Sequence, residues 1–211
     1  MFVGERMTFP VVMVSPDMPI QDALQLMKRE RIRRAPVVKD GALVGIVSDK
    51  DLLYASPSPA TSLSVWELNY LLSKVTVDQV MTTKIITVAE ETTIEEAARI
   101  MADSKIGGMP VVRGKAVVGI ITETDVFRLM LEMMGAREQA VRVTALVSDR
   151  LEELVDLANA IAGANGKIIA LGTFDKDSDH RELVVKISGL EKEKVAKLVD
   201  QIINVQDIRY C

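Results

Sequence analysis

The sequence predicts a mixed α+β protein in which two copies of one βαββα unit precede a smaller βαββαβ domain. The duplication is directly visible, because residues 7–53 align without a gap on residues 81–127 and 15 of the 47 aligned pairs are identical. Average composition gives about three such identities by chance. After Gly135 the repeat ends, and short alternating apolar segments with two amphipathic stretches follow. A repeat of this length indicates two copies of one structural unit.

Each copy is predicted to hold a leading strand, a helix, a hairpin and a second helix. Apolar residues at i, i+3, i+4 and i+7 from Ile20 and from Ile94 place one apolar stripe on the first helix. Thr93 and Glu96 form a capping box at the start of that helix in the second copy. The predicted hairpin strands cover 35–38 and 43–47, then 109–112 and 116–121, and the second helices begin at Asp49 and at Glu123, the latter running to about Met134.

The predicted boundaries divide the chain into a first repeat (1–58), a connector (59–76), a second repeat (77–135) and a C-terminal domain (139–211). A short helix in the connector carries Trp66 and Tyr70 on one face, which favours packing of that face on the core. The C-terminal pattern implies a four-stranded antiparallel sheet with both helices on one face. Its predicted strands are 141–147, 167–174, 182–188 and 205–210, and its helices are 151–162 and 192–203.

Composition and missing motifs exclude several functional classes. The net charge of −4 lacks the basic excess of a nucleic-acid-binding domain. The single cysteine allows neither an intrachain disulfide nor a thiolate metal cage. No apolar run reaches the roughly 18 residues of a membrane helix, so we expect a soluble cytoplasmic protein that does not bind membranes. Phosphate-loop and G-x-G-x-x-G patterns are absent and no acid–base group clusters in motif form, so the sequence predicts no enzyme.

The acidic segment 175–179 begins like an EF-hand calcium loop but fails at both diagnostic places. His180 stands where the loop needs glycine, and Lys186 stands where it needs glutamate. His180 is also the only histidine, so it has no second histidine or cysteine with which to hold a metal. We therefore predict an exposed His180 and no metal site.

Three short motifs recur in both copies: Pro-Val-Val at residues 36–38 and 110–112, Gly-Ile at 45–46 and 119–120, and Ser/Thr-x-x-Asp at 48–51 and 122–125. On these motifs, nearly all of residues 1–134 resembles a tandem pair of CBS domains, a Bateman module. The C-terminal segment is similar to an ACT domain, a ferredoxin-like domain that binds small ligands. The combination resembles the acetoin-utilisation family of CBS plus ACT regulatory proteins.

The resemblance implies two clefts between the copies, each able to bind an adenosine-containing regulatory ligand such as AMP, ADP, ATP or S-adenosylmethionine, with no required cofactor. In the family, the aspartate of Ser/Thr-x-x-Asp holds the ribose hydroxyls, the preceding Ser or Thr lies near ribose and phosphate, and the isoleucines flank the base. Carried over by position, one cleft contains Asp51, Ser48 and Ile46 facing Lys84, Ile86 and Ile106. The other contains Asp125, Thr122 and Ile120 facing Val12, Ile32, Arg33 and Arg34.

Two of these assignments have a purely structural alternative. Ser/Thr-x-x-Asp before a helix is also a capping arrangement, and a basic helix end beside the negative pole of the helix is commonly solvated. Arg33 and Arg34 lie beyond that helix, however, and the second copy has Gly107 and Gly108 in their place. Because arginine suits phosphate oxygens, the sequence favours the Asp125 cleft for a phosphorylated ligand. The Gly107–Gly108 side is then empty or takes a ligand with less charge.

The sequence therefore predicts a ligand sensor that reports to a regulated protein through its ACT-like domain. The alternative is a structural or protein-interaction module with degenerate, unliganded clefts. Where the ACT family has Asp-Arg-Pro-Gly, this chain has Asp-Arg-Leu-Glu at 149–152, without the proline or the glycine, which argues against the usual amino-acid site. Met130, Met133 and Met134 give the last helix of the repeat pair an apolar surface suited to core or dimer packing, and we expect a homodimer.

Overall fold

The computed structural model describes residues 1–55 and 74–211 of the 211-residue chain. The predicted connector helix with Trp66 and Tyr70 lies outside the described residues. The chain divides into two compact units, Met1–Val126 and Phe127–Cys211.

The first unit holds both repeats, and its described elements follow the predicted order closely. The first repeat contains α1 (Val3–Arg6), α2 (Ile20–Glu30), β1 (Arg34–Lys39), β2 (Ala42–Ser48) and α3 (Asp49–Tyr54). The second contains a 3-10 turn (Val77–Gln79), α4 (Ile94–Ser104), β3 (Gly108–Arg113), β4 (Ala116–Thr122) and the start of α5 (Glu123–Met133). The two predicted hairpins are confirmed, because β1 pairs antiparallel with β2 and β3 with β4.

The leading strand predicted in each copy is wrong as a continuous element. Its residues form single bridges instead, with Thr8 paired to Ile120 and Val14 paired to Val37. The segment thus divides its backbone hydrogen bonds between the hairpins of both repeats, and neither hairpin gains a third strand. The second copy repeats this division with Thr82–Ile46 and Val88–Val111 bridges.

The apolar stripes of α2 and α4 account for their packing. Ile20, Ala23 and Met27 are buried in the core of the first repeat, and the residues 74 positions later are buried likewise. Thr93 caps α4 by accepting a hydrogen bond from the Glu96 N–H at 3.2 Å.

The second unit contains β5 (Val141–Ser148), α6 (Glu153–Gly163), β6 (Lys167–Asp175), β7 (His180–Ser188), α7 (Lys192–Val199) and β8 (Asn204–Tyr210). The strands form one sheet in the order β6-β7-β5-β8, and every neighbouring pair is antiparallel. One face of the sheet packs on α6 and α7 in a single apolar core, which includes Val143, Val185, Leu157 and Val195. The predicted element order of this segment is therefore confirmed.

Two details of the second unit differ from the predictions. Helix α7 ends at Val199, not at Ile203, because a tight turn follows in which the Ile202 and Ile203 N–H groups both donate to the Val199 carbonyl. Ile203 still reaches the same core, which is why its spacing resembles a continuing helix. Helix α6 begins at Glu153 and not at Leu151, because Leu151 adopts a φ of 56°, a left-handed conformation that glycine usually fills.

Several side chains of the second unit that the sequence singles out are exposed. Met130, Met133 and Met134 are 43%, 66% and 50% exposed, so they do not pack in the core of this chain. His180 is exposed, as predicted, and its Nδ1 lies 3.0 Å from Asp177 Oδ1.

Within residues 1–55 and 74–211, no helix has the length and apolar character needed to cross a membrane. The same ranges contain no cluster of three His, Cys, Asp or Glu side chains suited to a metal ion.

Candidate ligand-binding site

The frame of both candidate clefts is a pair of exchanged backbone contacts between the repeats. Thr82 and Ile46 exchange N–H to carbonyl hydrogen bonds of 2.9 and 3.0 Å, and Thr8 and Ile120 exchange bonds of 2.9 and 3.2 Å. These pairs are equivalent under the offset of 74 residues. Each repeat therefore attaches its leading segment to the second hairpin strand of the other repeat, and each cleft is built from both.

The Asp51 cleft contains a cavity of about 310 Å³, within the range of small-molecule sites. All six residues predicted for this cleft lie around it: Ile46, Ser48 and Asp51 from the first repeat, and Lys84, Ile86 and Ile106 from the second. Of the other lining residues, the sequence places Gly107 and Gly108 on this side and Arg34 in the other cleft. It gives no signal for the remaining four, which are Val47, Thr82, Ile85 and Lys105.

The carboxylate of Asp51 is fixed by a capping arrangement at the start of α3. Ser48 donates to Asp51 Oδ2 from its backbone N–H at 2.8 Å and from its hydroxyl at 2.7 Å. The Asp51 N–H donates in return to Ser48 Oγ at 3.2 Å. The capping interpretation of Ser-x-x-Asp is thus confirmed, and it places an oriented acceptor in the wall of the cavity. Capping and ligand contact are therefore compatible at this position.

The same arrangement holds Asp125 at the start of α5. Thr122 donates to Asp125 Oδ2 from its N–H at 3.0 Å and from its hydroxyl at 2.6 Å. Arg33 reaches this helix start from the first repeat, where its Nη2 donates to Thr124 Oγ1 at 2.8 Å. The structure therefore brings Arg33 to the side of the molecule where the sequence places it.

The apolar residues predicted for the Asp125 cleft are buried or half-buried. Ile120 is only 6% exposed and Ile32 packs against the core of the first repeat. Val12 is half-buried in the segment between the Thr8 and Val14 bridges. These side chains contribute to the packing of the repeats as well as to the predicted cleft.

Arg34 does not share the Asp125 cleft with Arg33, which corrects the sequence prediction. It lines the Asp51 cavity, and its guanidinium lies against Gly107 of the second repeat. A Cβ atom at Gly107 would overlap Arg34 Nη2 and would lie 2.7 Å from Arg34 Cζ. The physical reason is that Arg34 is the first residue of β1, and successive side chains of an extended segment point to opposite sides.

The Asp51 cavity has apolar walls, and more positive than negative side chains line it. Ile46, Ile86 and Ile106 offer apolar surface, and Asp51 contributes one carboxylate. Three cationic side chains, those of Arg34, Lys84 and Lys105, line the same cavity. Such a site can accept a molecule with a flat apolar part, hydroxyl donors for a carboxylate and an anionic group.

Related proteins share the repeat pair. The CBS domain family model matches residues 3–58 and 77–132. The uncharacterized protein MJ1225 of Methanocaldococcus jannaschii is 30% identical over 134 residues, which cover 60% of this chain and 46% of that protein. An inosine-5'-monophosphate dehydrogenase of Korarchaeum cryptofilum is 34% identical over 141 residues, which cover 65% of this chain and 26% of the enzyme. The chain thus spans less than half of these two relatives.

Solved structures cover a similar share of the chain. The CBS domain pair of protein MJ0100, solved with 5'-methylthioadenosine and S-adenosyl-L-methionine, has a TM-score of 0.53, 26% identity, and coverage of 65% of this chain and 98% of that one. A putative acetoin utilization protein (AcuB) of Vibrio cholerae has a TM-score of 0.52, 32% identity, and coverage of 62% and 90%. CBSX2 in complex with AMP has a TM-score of 0.50, 34% identity, and coverage of 62% and 96%. With two matched repeats that together cover more than half of its residues, this chain belongs to the CBS domain family.

Proposed function

We propose that this chain is a regulatory protein, not an enzyme, whose repeat pair binds an adenosine-containing ligand. The observation that carries the proposal is the Asp51 cavity, in which a fixed carboxylate lies among four isoleucines and three cationic side chains. Adenine suits the apolar walls, the ribose hydroxyls suit the carboxylate, and the cations suit phosphate. CBS pairs of related structures were solved with AMP or with S-adenosyl-L-methionine, which supports this ligand class.

A thermal-shift panel tests ligand binding. The full chain is heated with AMP, ADP, ATP, S-adenosylmethionine or 5'-methylthioadenosine, and with amino acids as a separate arm. At a hundred times its dissociation constant, a ligand adds about 2.7 kcal/mol of stability, which raises Tm by roughly 5 to 10 °C for a chain of this size. Asp51→Ala and Asp125→Ala separate the two clefts. The absence of any shift at millimolar adenine compounds supports the alternative, an interaction module with unliganded clefts.

We also propose that the four predicted parts (1–58, 59–76, 77–135 and 139–211) are the functional domains, and that 139–211 is an ACT-like, ferredoxin-like domain that passes the ligand state to a regulated protein. The strand order β6-β7-β5-β8 with both helices on one face supports the ferredoxin-like assignment. The amino-acid arm of the thermal-shift panel tests whether this domain keeps a ligand site despite Leu151.

A homodimer in the cytoplasm completes the proposal. Met130, Met133 and Met134 are exposed on and just after α5, and large exposed apolar groups favour association. A closed twofold assembly covers the same patch on both copies. Light scattering at tens of micromolar tests this assembly, with an expected mass of twice 23.2 kDa. A mass of 23.2 kDa with and without nucleotide contradicts the dimer.

A further inference from the structure

The second unit has a mainly apolar cavity on the face of its sheet opposite α6 and α7. Arg142, Val184 and Lys186 alternate with core residues along β5 and β7, so their side chains point away from both helices. All three line the cavity, together with apolar residues that include Met134 and Phe174. Its volume is about 150 Å³, which is enough for a benzene ring.

Lys186 is a buried cation whose hydrogen-bond partners are neutral. The residue is 7% exposed, and its Nζ donates to the Gly135 carbonyl at 2.6 Å and to the Glu138 carbonyl at 3.4 Å. An ammonium group has three donors, so one remains for another acceptor. Within residues 1–55 and 74–211, Lys186 forms no ion pair with a carboxylate. Because a buried charge without an opposite charge costs free energy, a bound anion would stabilise this position.

Lys186 is one of three cations in a row across the sheet. Arg142 on β5 is paired with Lys186 on β7 and with Arg209 on β8. Like charges directly opposite each other on neighbouring strands are destabilising. Arg209 is compensated, because its Nε and Nη2 donate to Asp207 at 2.6 and 2.9 Å. Arg142 instead donates to the neutral hydroxyl of Thr144 at 2.7 Å. Among the described residues of this row, the two cations without a carboxylate are therefore the two that line the cavity.

We propose that this cavity binds a small monocarboxylate with a branched or aromatic apolar part, such as 4-methylpentanoate or benzoate. The apolar part packs on Met134 and Phe174. The carboxylate accepts hydrogen bonds from Arg142 and Lys186 and reduces the repulsion between them. Among the described residues that line the cavity none is acidic, so the ammonium group of an amino acid has no partner there.

This ligand is separate from the adenosine compound proposed above, because every residue that lines the cavity belongs to the second unit. The cavity also differs from the amino-acid site that the ACT resemblance implies, since none of residues 149–152 lines it. Adenosine binding and carboxylate binding can therefore succeed or fail independently.

Methionine-methyl NMR of the full-length chain tests the proposal. With carbon-13 in the methionine methyl groups, Met133 and Met134 report on the cavity that they line, and the variants Met133→Leu and Met134→Leu assign their signals. Met27 and Met101 are internal controls, because both are buried in the repeats. The chain is titrated with benzoate, with its neutral analogue benzamide, with 4-methylpentanoate and with leucine, which adds an ammonium group to 4-methylpentanoate.

We expect benzoate to shift the Met133 and Met134 signals and to leave Met27 and Met101 in place. Benzoate should bind at least about tenfold more tightly than benzamide, as a hydrogen bond to a charged group allows. Leucine should bind more weakly than 4-methylpentanoate by a similar factor, because two cations repel its ammonium group.

Three variants separate the charge of the cavity from its volume. Arg142→Gln and Lys186→Met each remove one cation, and each should lower benzoate affinity about tenfold while benzamide affinity stays unchanged. Gly172→Val keeps every charge but fills the cavity, and it should abolish binding of both compounds. A Cβ at Gly172 would lie 3.7 Å from the nearest atom of Phe174, so the strand accommodates a side chain there. Arg209→Gln is the matched control, because Arg209 belongs to the same row but does not line the cavity.

Several outcomes would overturn the proposal. One is that neither carboxylate moves the Met133 and Met134 signals at millimolar concentration. Another is equal affinity for benzoate and benzamide, or benzoate affinity that survives both cation variants. Signals of Met133 and Met134 that move with protein concentration but with no carboxylate show that a second copy covers the cavity instead. Circular dichroism melts verify folding, and if Lys186→Met does not fold, Arg142→Gln and Gly172→Val decide.

Discussion

The first and second repeats agree even in their irregular features and differ in the residues that face the clefts. Both hairpins shift register at the same step, between Val37 and Val38 in one and 74 residues later in the other. Both long helices end in a left-handed residue, Arg31 with a φ of 55° and Lys105 with a φ of 54°. The residues that the two repeats share thus give both repeats the same backbone conformation.

The difference begins two residues after those helix ends. The first repeat continues with Arg33 and Arg34, and the second with Gly107 and Gly108. Arg33 bonds to Thr124 near Asp125, while Arg34 crosses to Gly107 in the Asp51 cavity. A duplicated fold can therefore carry two unlike clefts, because the residues that set charge are not those that set the backbone.

Removing the equivalent core methionines tests whether the two repeats are equally packed. Met27 is 1% exposed and Met101 is 3% exposed. We expect Met27→Ala and Met101→Ala each to lower the free energy of unfolding by about 2 to 5 kcal/mol, because each leaves a cavity. Urea unfolding followed by circular dichroism measures both. A nearly neutral effect at only one position contradicts equivalent packing.

A close approach of the repeats provides the second matched pair. A Cβ at Gly45 would lie 2.9 Å from Met81 Cγ and 3.2 Å from Met81 Cβ, and a Cβ at Gly119 would lie 2.9 Å from Met7 Cγ. Alanine at either position should cost about 1 to 3 kcal/mol by overpacking. We expect the larger cost for Gly45→Ala, because the Cβ of Met81 moves less easily than the tip of a side chain.

A double-mutant cycle provides the control. Met81→Ala should restore much of the stability lost in Gly45→Ala, because it removes the atoms that a new methyl group meets. If both single variants and the double variant add without coupling, the loss at Gly45 comes from the backbone and not from this contact.

Much of this organisation could be predicted from the sequence, because apolar spacing and the duplication determine it. The hairpin strands were predicted to within one residue at each end, as at 35–38 for the strand Arg34–Lys39. The leading strand was not predictable in the same way. Its alternation is typical of a strand, but the hairpin to which each residue bonds depends on how the two repeats dock.

The charge of the clefts shows the same limit. The resemblance to a CBS pair implies that residues 33 and 34 lie beside a cleft, and it also implies the six predicted residues of the Asp51 cavity. Which cleft Arg34 enters depends on strand β1 starting at residue 34 and on space over Gly107, two facts that arise only when the repeats face each other. Leu151 likewise takes a glycine-like φ that its side chain does not suggest.

The caps at the two clefts should be alike in stability. Ser48→Ala and Thr122→Ala each remove a hydroxyl bond to an aspartate at a helix start. We expect each to lower the free energy of unfolding by about 1 kcal/mol. Ligand affinity should fall as well, because the carboxylate loses one of the bonds that orient it. An unchanged affinity would show that ligands do not use these carboxylates.

The carboxylate of Glu153, at the start of α6 in the second unit, makes the stability of that unit depend on pH. Burial raises the pKa of Glu153, but hydrogen bonds from its own N–H, the Ser148 N–H and the Ser148 hydroxyl outweigh burial and hold it below its usual value. Because the pKa of Glu153 is lower in the folded state than in the unfolded state, its carboxylate stabilises the fold at pH values above the unfolded-state pKa. That stability is lost as the pH falls through the folded-state pKa. Ser148→Ala should raise the Glu153 pKa, as an NMR titration measures. An unchanged pKa contradicts this account.

The smallest expected effect concerns the residues that end helices α2 and α4. Substitutions there should change stability alike but change ligand binding differently. Arg31 and Lys105 both adopt a left-handed conformation that is unfavourable for residues with a Cβ, and glycine there avoids that strain. Because glycine also loses more chain entropy on folding, we expect Arg31→Gly and Lys105→Gly to raise stability by no more than about 1 kcal/mol each. Their effects on binding should differ, because Lys105 lines the Asp51 cavity and Arg31 does not. Lys105→Gly should weaken AMP relative to adenosine, and Arg31→Gly should leave that ratio unchanged, as titration of both variants measures. An equal loss of AMP affinity in the two variants would show that general surface charge, and not the cavity lining, attracts the nucleotide.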